Sequence, residues 1–358
     1  APSLLRNSHN TGNISAWSNS GGVVGGVSGD SLKIVNCYNT GNVTGNYTVA
    51  TNVGGILGNG PAEYIDCWNS GVITALGKQA GGINGTNTSK SLRMTRCVNV
   101  GDIVAKTSDA GGMIGLGRAT MTDCYNMGNV SAPTAAGGLF GEPGAAANGV
   151  YTIVVNNCYN SGKITASSNW GNLMGKNASC KYLNIGKVYV NTDTTALSSY
   201  DTELKVQGKT TRELTEMDLG GGFMQQTGTL PTLSVFSAND TLNFHAATLL
   251  PATGETFDAV RHSLTAGTPQ GVSWSCTGPL TIMGNRIRNT SEQEGATGTV
   301  TCAAGGLTKT WTLKLENTMG VEGLDGDGKP VLRVEYYRTD GTLTTTDDAA
   351  AILIERTV

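Results

Sequence analysis

Cysteine is the residue of this sequence with the clearest capacity for metal or redox chemistry. Six of the eight cysteines recur along the first half of the chain: Cys37, Cys67, Cys97, Cys124, Cys158 and Cys180. A zinc or redox centre needs closely spaced thiols, such as a Cys-x-x-Cys pair, or a histidine nearby. Neither accompanies these cysteines. We therefore expect unpaired thiols that pack as small buried hydrophobes, and we predict no metal and no cofactor.

An aromatic column runs beside the cysteines. Its members are Tyr38, Trp68, Tyr125 and Tyr159, with Val98 in the remaining position. Because side chains alternate along a strand, inward cysteines would place this column on the outer surface. Rings at regular intervals can stack on an extended glycan, and such stacking needs no charge. The competing interpretation is that the rings pack on one another and shield the sheet.

Groups typical of catalytic centres are sparse. The histidines are widely separated, at His9, His245 and His262. No metalloprotease, nucleophile-elbow or nucleotide-loop motif occurs. Asp66 and Asp123 occupy equivalent positions, but the other copies hold Asn36, Arg96 and Asn157 there. We interpret this column as solvated surface and predict no catalytic residues and no enzyme.

All these columns belong to one internal repeat. Segment 36–44, Asn-Cys-Tyr-Asn-Thr-Gly-Asn-Val-Thr, recurs at 66–74, 96–104, 123–131 and 157–165, with degenerate copies at both ends. Every copy has an Asn with a Gly two residues later. The Asn column comprises Asn10, Asn39, Asn69, Asn99, Asn126, Asn160 and Asn184. Amides stacked at strand spacing form hydrogen-bonded ladders, so we expect a structural Asn ladder.

A glycine-rich block follows each of the first six copies. It reads Gly-Gly-Val-Val-Gly at 21–25 and returns at 54–58, 81–85, 111–115 and 137–141, with a degenerate form at 171–175. Together the two blocks resemble the GLUG motif of bacterial surface proteins, some of which are attached to IgA-peptidase-like enzymes. The resemblance covers residues 1–233 and implies an extracellular protein of the cell surface or cell wall.

The repeat by itself predicts an all-β fold, a parallel β-helix or solenoid of about seven rungs. One unit cannot bury a core, whereas stacked units build a continuous one. Asn and Gly tolerate the left-handed backbone that the corners need. Segment 210–217 carries a Thr-x-x-Glu capping box and predicts a short helix. With residues 230–233 it should cap the open end of the solenoid, which would otherwise expose unpaired edges.

The composition changes at about Ser234. Strand-like runs at 241–244, 271–275, 281–283, 297–302 and 308–315 are typical of a β-sandwich. Segments 272–276 and 298–302 resemble bacterial Ig-like domains, over residues 234–318. The resemblance places Cys276 and Cys302 in candidate core strands, where a disulfide would suit an extracellular protein; two free buried thiols are the alternative. Residues 319–358 would form a small β extension or begin a further module.

Composition limits the function. A net charge of -3 argues against a nucleic-acid partner. No apolar stretch approaches the roughly 20 residues of a membrane span. Ala1 begins inside a repeat, so we interpret the chain as part of a longer one. We expect a monomeric, non-catalytic stalk or adhesin region of a secreted bacterial surface protein, with a host glycan or protein as candidate partner. The alternatives are the accessory region of a secreted enzyme, either IgA-peptidase-like or a glycan-cleaving β-helix, and a pure spacer.

Overall fold

The structure is a computed structural model of the chain. It describes residues 3–29, 31–144, 152–175, 182–225, 229–246 and 248, and then 273–283, 286–289, 297–304, 307–314, 321–324, 330–332, 336–337, 343–344 and 352–353. The chain forms two compact units, Ala1–Ala247 and Thr248–Val358. The boundary expected after Leu233 falls inside the first unit, because Leu242 and Ala246 pack into an apolar cluster with residues of the repeat.

The first unit is a solenoid of four parallel sheets, in which each strand pairs with its equivalent in the next turn. Sheet A contains Leu4–Arg6, Val24–Gly26, Leu32–Val35, Leu57–Asn59, Ala62–Ile65, Asn84–Thr95, Ile114–Thr122, Phe140–Glu142, Thr152–Asn156 and Tyr182–Ile185. Sheet B contains His9–Asn10, Tyr38–Asn39, Trp68–Asn69, Val98–Asn99, Tyr125–Asn126, Cys158–Asn160, Val188–Asn191 and Gln207–Lys209. Sheet C contains Ile14–Ala16, Val43–Gly45, Ile73–Ala75, Ile103–Ala105, Val130–Ser131 and Ile164–Thr165. Sheet D contains Ser20–Gly21, Ala50–Gly54, Lys78–Gly81, Ser108–Gly111, Thr134–Gly137 and Ser168–Gly171.

The parallel solenoid that the repeat predicts is confirmed, but it has about six turns rather than seven. Sheets C and D contain six strands each. The seventh copy supplies only Tyr182–Ile185 and Val188–Asn191, which continue sheets A and B. Helix α1, Ser199–Glu203, then follows where strands of sheets C and D would be needed for a seventh turn.

Two columns of left-handed residues turn the chain at its corners. Between sheets A and B the φ angle lies between 50° and 55° at Asn7, Asn36, Asp66, Arg96, Asp123 and Asn157. Beside or within the sheet D strands it lies between 50° and 70° at Asn19, Asn52, Gln79, Asp109, Ala135 and Asn169. Asn and Asp fill most of these places because their short polar side chains tolerate this conformation best among non-glycine residues.

Side chains that point inward form two apolar clusters. The larger contains the described repeat cysteines and the inward residues of sheet A, among them Ile34, Tyr64 and Met94. The smaller lies between sheets C and D and contains Val43 and Ile73 with their equivalents. Each fully buried aliphatic side chain contributes about 1.5–3 kcal/mol. Stacking thus buries apolar surface that a single turn would leave exposed.

The segment after the repeats has two structural roles. Tyr200 of α1 and the following Val206 join the larger interior cluster at its C-terminal end. Helix α2, Thr211–Glu216, a hairpin of Phe223–Met224 with Thr232–Leu233, a 3₁₀ turn at Ser234–Phe236 and helix α3, Asp240–Ala246, pack instead on the outer side of sheet B. We call residues 211–246 the cover segment. The predicted helix at 210–217 forms, with Thr210 and Glu213 as its capping box. However, it covers a side of the solenoid and not its end, and the strand expected at 241–244 is helical.

The second unit is antiparallel where it is described. Ser273–Thr277, Thr297–Ala304 and Leu307–Lys314 form one sheet, and Leu280–Met283 pairs with Arg286–Asn289. Shorter strands lie at Val321–Leu324, Pro330–Leu332, Tyr336–Tyr337, Leu343–Thr344 and Ile352–Leu353. Cys276 is a free thiol. It lies opposite Val300, while Cys302 lies opposite Trp274 on the same pair of strands. The expected disulfide is therefore not formed: the two cysteines are on neighbouring strands of one sheet, offset by two positions.

Candidate functional site

The aromatic column points outward from the solenoid, as strand alternation predicts, but it is not accessible. Tyr125 and Tyr159 are completely buried and Trp68 is 8% exposed. Leu214, Phe223 and other apolar residues of the cover segment pack against them. Only Tyr38, at the N-terminal end of the column, is partly exposed. This burial removes Trp68, Tyr125 and Tyr159 as a ligand-binding strip.

Ring orientation excludes a glycan platform for a second reason. Tyr38 stacks on Trp68 with centroids 4.6 Å apart and planes 7° from parallel. Tyr125 stacks on Tyr159 in the same way, at 5.0 Å and 8°. His9 continues the first stack beyond Tyr38 at 4.7 Å. The faces that a sugar would need are occupied by neighbouring rings, so only ring edges point away from the sheet. The competing interpretation, in which the rings pack on one another and shield the sheet, therefore describes this column.

Polar contacts fix the cover segment in register. The Tyr159 hydroxyl donates to the Pro231 carbonyl at 2.6 Å. The Gly222 amide donates to Asp123 Oδ2 at 3.1 Å, and Asn157 Nδ2 donates to the Gly220 carbonyl at 3.3 Å. The Tyr125 hydroxyl, by contrast, is buried without a hydrogen-bond partner among the described residues. Two adjacent tyrosines therefore have opposite hydrogen-bonding states.

The acid-containing corner column holds structural bonds. Arg96 forms a bidentate pair with Asp66, Nε to Oδ1 at 2.6 Å and Nη2 to Oδ2 at 3.1 Å. Asn157 Nδ2 donates to Asp123 Oδ1 at 2.6 Å. The pairing with Asp66 raises the pKa of Arg96 above its ordinary value. The interpretation of this column as solvated surface is corrected: its members bond between turns, and Asp123 also binds the cover segment.

The Asn column forms a continuous side-chain ladder over six positions. Each amide Nδ2 donates to Oδ1 of the next Asn at 2.7–2.8 Å, from Asn10 through Asn39, Asn69, Asn99 and Asn126 to Asn160. Each Nδ2 also donates to the carbonyl of the Gly two residues later, for example Asn99 to Gly101 at 2.8 Å. Asn184 is not a member, because it is exposed and pairs with Val154 in sheet A. The ladder position of the last turn is Val190, opposite Asn160.

Glycine in the second block is required both by the next turn and by the Asn ladder: a Cβ on Gly82 would lie 2.1 Å from the carbonyl oxygen of Gly112. A Cβ on Gly82 would lie 2.4 Å from Cγ of Asn99, and one on Gly112 would lie 2.4 Å from Cγ of Asn126. At the last turn the equivalent residue is Asn172, where the ladder has ended and a side chain fits. Its Nδ2 donates to the Ala196 carbonyl and to Asp201 of α1, at 2.9 and 3.1 Å. Asn172, which stands where the other turns have glycine, thus attaches helix α1, which caps the C-terminal end of the solenoid.

Asp201 is the centre of that cap and was not anticipated from the sequence. Its carboxylate accepts hydrogen bonds from the backbone amides of Asn172, Leu173 and Ser198 at 2.9–3.1 Å. The Ser198 hydroxyl donates to it at 2.8 Å. The Ser198-x-x-Asp201 spacing is a capping box, so the helix start was detectable in the sequence. Its bonds to residues 172 and 173 were not.

The described repeat cysteines are free and buried. Neighbouring members are in contact: the Cys97 amide donates to Sγ of Cys124 at 3.3 Å. Burial raises the pKa of Cys67, Cys97 and Cys124 well above their ordinary value, so these thiols stay protonated and unreactive. Cys180 lies outside the described residues. Within the described residues, no group of three or more Cys, His, Asp or Glu is arranged to hold a metal ion.

One acid pair has the properties of a chemical site. Asp109 in sheet D and Glu142 in sheet A share a hydrogen bond, and Asp109 is buried. Burial, followed by the neighbouring Asp109 carboxyl, raises the pKa of Glu142 to about 7. Burial also raises the pKa of Asp109, while the positive charge of Lys78 acts in the opposite direction and lowers it. Such a pair holds a proton near neutral pH, which is the state a general acid requires. The repeat pattern gave no signal for it, because Asp109 occupies a position that holds Asn or Gln in the preceding turns.

The outer face of sheet C is a regular surface that the cover segment, packed on sheet B, leaves free. Its first column is Asn13, Asn42, Val72, Asp102, Asn129 and Lys163. Its middle column is Ser15, Thr44, Thr74, Val104, Ser131 and Thr165. Its third column is Trp17, Asn46, Leu76, Lys106, Pro133 and Ser167. A shallow depression on turns four to six is lined by Val104–Lys106, Ser131–Pro133 and Thr165–Ser167.

Comparison with protein-family models, curated proteins and solved structures finds no match to the chain. The established class is therefore that of its fold, a parallel β-solenoid built from sequence repeats. No helix in the described part of the chain has the length and apolarity that crossing a bilayer requires.

Proposed function

We propose that the chain is a non-catalytic stalk or adhesin region of a secreted bacterial surface protein. One observation carries this proposal: the side chains that define the repeat make contacts that hold neighbouring turns together. The cysteines fill the core, the Asn amides bond to one another, and the aromatic rings stack beneath the cover segment. A repeat whose recurrent groups are all internal is suited to stiffness and length rather than to chemistry.

The finer assignments belong to the same proposal. The Asn-x-Gly and Gly-Gly blocks resemble the GLUG motif, which supports a bacterial origin and an extracellular location at the cell surface or wall. The Trp274 and Cys302 strands support an Ig-like second unit. A monomer without nucleic-acid partners fits the low charge of the chain. An adhesive role now needs a surface other than the aromatic column.

A stalk must stay folded under load, which force spectroscopy on the full chain measures. Held at its two ends, the chain should resist extension until the solenoid unfolds in discrete steps. A turn of 30 residues should release roughly 100 Å. Smooth extension from the lowest force, as for a flexible linker, would rule out a stalk.

A second candidate, a glycan-cleaving enzyme, is favoured by the Asp109–Glu142 pair. Turnover of polysaccharides and peptides by the wild-type chain and by Glu142→Gln separates the two functions. The stalk requires no turnover from either protein. Turnover that Glu142→Gln abolishes would establish the enzyme instead, because that substitution removes the shared proton while keeping the side-chain shape.

A further inference from the structure

The outer face of sheet C has a charge opposite to that of the chain as a whole. The chain carries a net charge of -3, but the charged residues of this face are Asp102, Lys106 and Lys163. Asp102 Oδ1 accepts the backbone N–H of Asn129 at 2.9 Å, so its carboxylate is engaged within the face. Neither lysine forms an ion pair within the described part of the chain. Two lysines and one aspartate give the face a net charge of +1, which favours an anion, while the rest of the molecule is net acidic.

The depression on this face lies beside the corner between sheets C and D. From the middle column to sheet D the chain advances six residues in turn four, Val104 to Ala110, but five in turn five, Ser131 to Ala136. Turn six also advances five residues, Thr165 to Trp170, and Pro133 of turn five lines the depression. Lys106 also lines the depression, while Lys163 lies on the same face, two residues before the lining residue Thr165.

The rest of the face has the chemistry of a carbohydrate surface. Its middle column presents a hydroxyl group in every turn except the fourth, where Val104 stands, at the strand separation of about 4.8 Å. Trp17, at the N-terminal end of the third column, is 68% exposed, and Leu76 of the same column is 36% exposed. Hydroxyls and amides can bond sugar hydroxyls, and the indole ring can pack on the apolar face of a sugar.

We infer that the outer face of sheet C binds a linear polysaccharide that carries carboxylate groups, laid along the solenoid axis. Its carboxylates pair with Lys106 and Lys163, and its backbone follows the hydroxyl column. This inference rests on the proposed non-catalytic function, because the polymer is held and not cleaved. Two lysines are too few for a nucleic acid, whose affinity comes from many phosphate contacts.

The test uses the full chain and two forms of one polymer, polygalacturonate and its methyl ester, which differ only in carboxylate charge. Binding at low ionic strength should be seen for the acid and be much weaker for the ester, and salt should reduce it. Lys106→Gln and Lys163→Gln should each weaken binding roughly fivefold, as expected for one exposed ion pair. Lys187→Gln makes the same charge change off this face and should leave affinity unchanged.

The size of the polymer after incubation distinguishes failure of the binding site from failure of the proposed non-catalytic function. Binding without shortening supports both the site and the non-catalytic function. Shortening of the polymer overturns the proposed function. Equal binding of acid and ester, equal loss from Lys187→Gln, tighter binding of single-stranded nucleic acid, or no binding of the acid overturns the site while leaving the stalk intact. Melting temperatures of the variants should match that of the wild type, since both lysines are exposed.

Discussion

At the scale of single residues, stability depends on buried polar groups whose hydrogen-bond partners are all present. Asn99 makes three side-chain bonds: it accepts from Asn69 and donates to Asn126 and to the Gly101 carbonyl. A buried ladder of this kind is favourable only while every member is present, because an unpaired amide keeps its full desolvation cost.

Asn99→Ala should therefore destabilise the solenoid by about 2–5 kcal/mol, since it removes three bonds and leaves partners on both sides unpaired. Asn184→Ala is the matched control. The sequence pattern placed Asn184 in the same ladder, whereas the structure places it exposed in sheet A. Its substitution should change the free energy of urea unfolding by less than about 0.5 kcal/mol. Similar losses from the two variants would contradict the ladder register.

The stacked tyrosines give a pair of substitutions with opposite signs. Tyr125→Phe removes a buried hydroxyl that has no partner, and should stabilise the protein by about 1 kcal/mol. Tyr159→Phe removes the bond to the Pro231 carbonyl and should destabilise it by about 1 kcal/mol. Both variants keep the ring stack, so thermal unfolding isolates the hydroxyl contribution. A loss of stability in both would show that Tyr125 also needs its hydroxyl.

The Asp109–Glu142 pair predicts a pH dependence. Folding raises the pKa of Glu142 from its ordinary 4.5 to about 7, so the folded state binds the proton more tightly. This contribution to stability is complete below pH 4.5 and is lost as the pH rises to about 7. Glu142→Gln has no carboxyl group at this position to titrate, so its stability does not change for this reason over the same pH range. The stability of Glu142→Gln relative to wild type should rise between pH 4.5 and 7 and stay constant above.

Urea unfolding of both proteins at each pH measures this difference. Asp109→Asn is the companion variant, because removing its carboxyl should bring the pKa of Glu142 back towards its ordinary value and narrow the pH window. A difference between wild type and Glu142→Gln that is independent of pH would show that the two carboxyls do not share a proton.

At the scale of elements, the end of the solenoid depends on one short helix. Asp201 of α1 accepts bonds from the last turn that would otherwise leave the backbone amides of residues 172 and 173 unpaired. An amide side chain has one acceptor oxygen and cannot replace the second. Five residues of helix are too few to be stable alone, so α1 and the end of the solenoid stabilise each other.

Asp201→Asn should cost about 2–4 kcal/mol, because several charge-assisted bonds are lost in a fully buried position. It should also promote self-association, since an uncovered parallel edge can pair with other chains. Glu203→Gln makes the same chemical change at an exposed position of the same helix, and should be silent. Analytical ultracentrifugation and urea unfolding measure the two effects. A monomeric, fully stable Asp201→Asn protein would mean that α1 is not the cap.

At the scale of the whole molecule, the first unit is close to a one-dimensional stack. Between turns three and four every register pair differs by 30 residues, as in Trp68 with Val98 and Ala80 with Ala110. Each turn therefore contacts mainly its neighbours, and the interior columns continue through any junction that preserves the phase.

Deletion of residues 66–95, one complete turn, should leave a folded solenoid with one turn fewer, since Ile65 then precedes Arg96 just as Thr95 does now. Deletion of 66–94 removes one residue less and moves the downstream columns out of register. That second deletion should abolish cooperative unfolding, because a one-residue slip exchanges inward and outward side chains. Circular dichroism and thermal unfolding distinguish the two. Equal stability of both deletions would contradict the phase-locked stack.

The sequence by itself determined the parallel solenoid, its turns from residue 8 to about 165, its inward cysteines and six of its ladder amides. These features repeat, and repetition converts a local pattern into a register. The prediction that Asn184 belongs to the ladder was wrong because it relied on the local motif alone. Asn184-x-Gly186 matches the motif, but Asn184 pairs within sheet A, and Val190 occupies the ladder position of the last turn.

Only the tertiary structure decided which side of the solenoid is open. Strand alternation correctly turned the aromatic column outward, but outward is not exposed when a distant segment packs there. The cover segment has no repeat and contacts the column through Leu214, Phe223 and Pro231, which lie 50 or more residues beyond Tyr159. The Asp109–Glu142 pair and the contacts of Asp201 with the last turn join residues that are distant in sequence in the same way. Such contacts depend on packing between non-equivalent elements, about which periodicity carries no information.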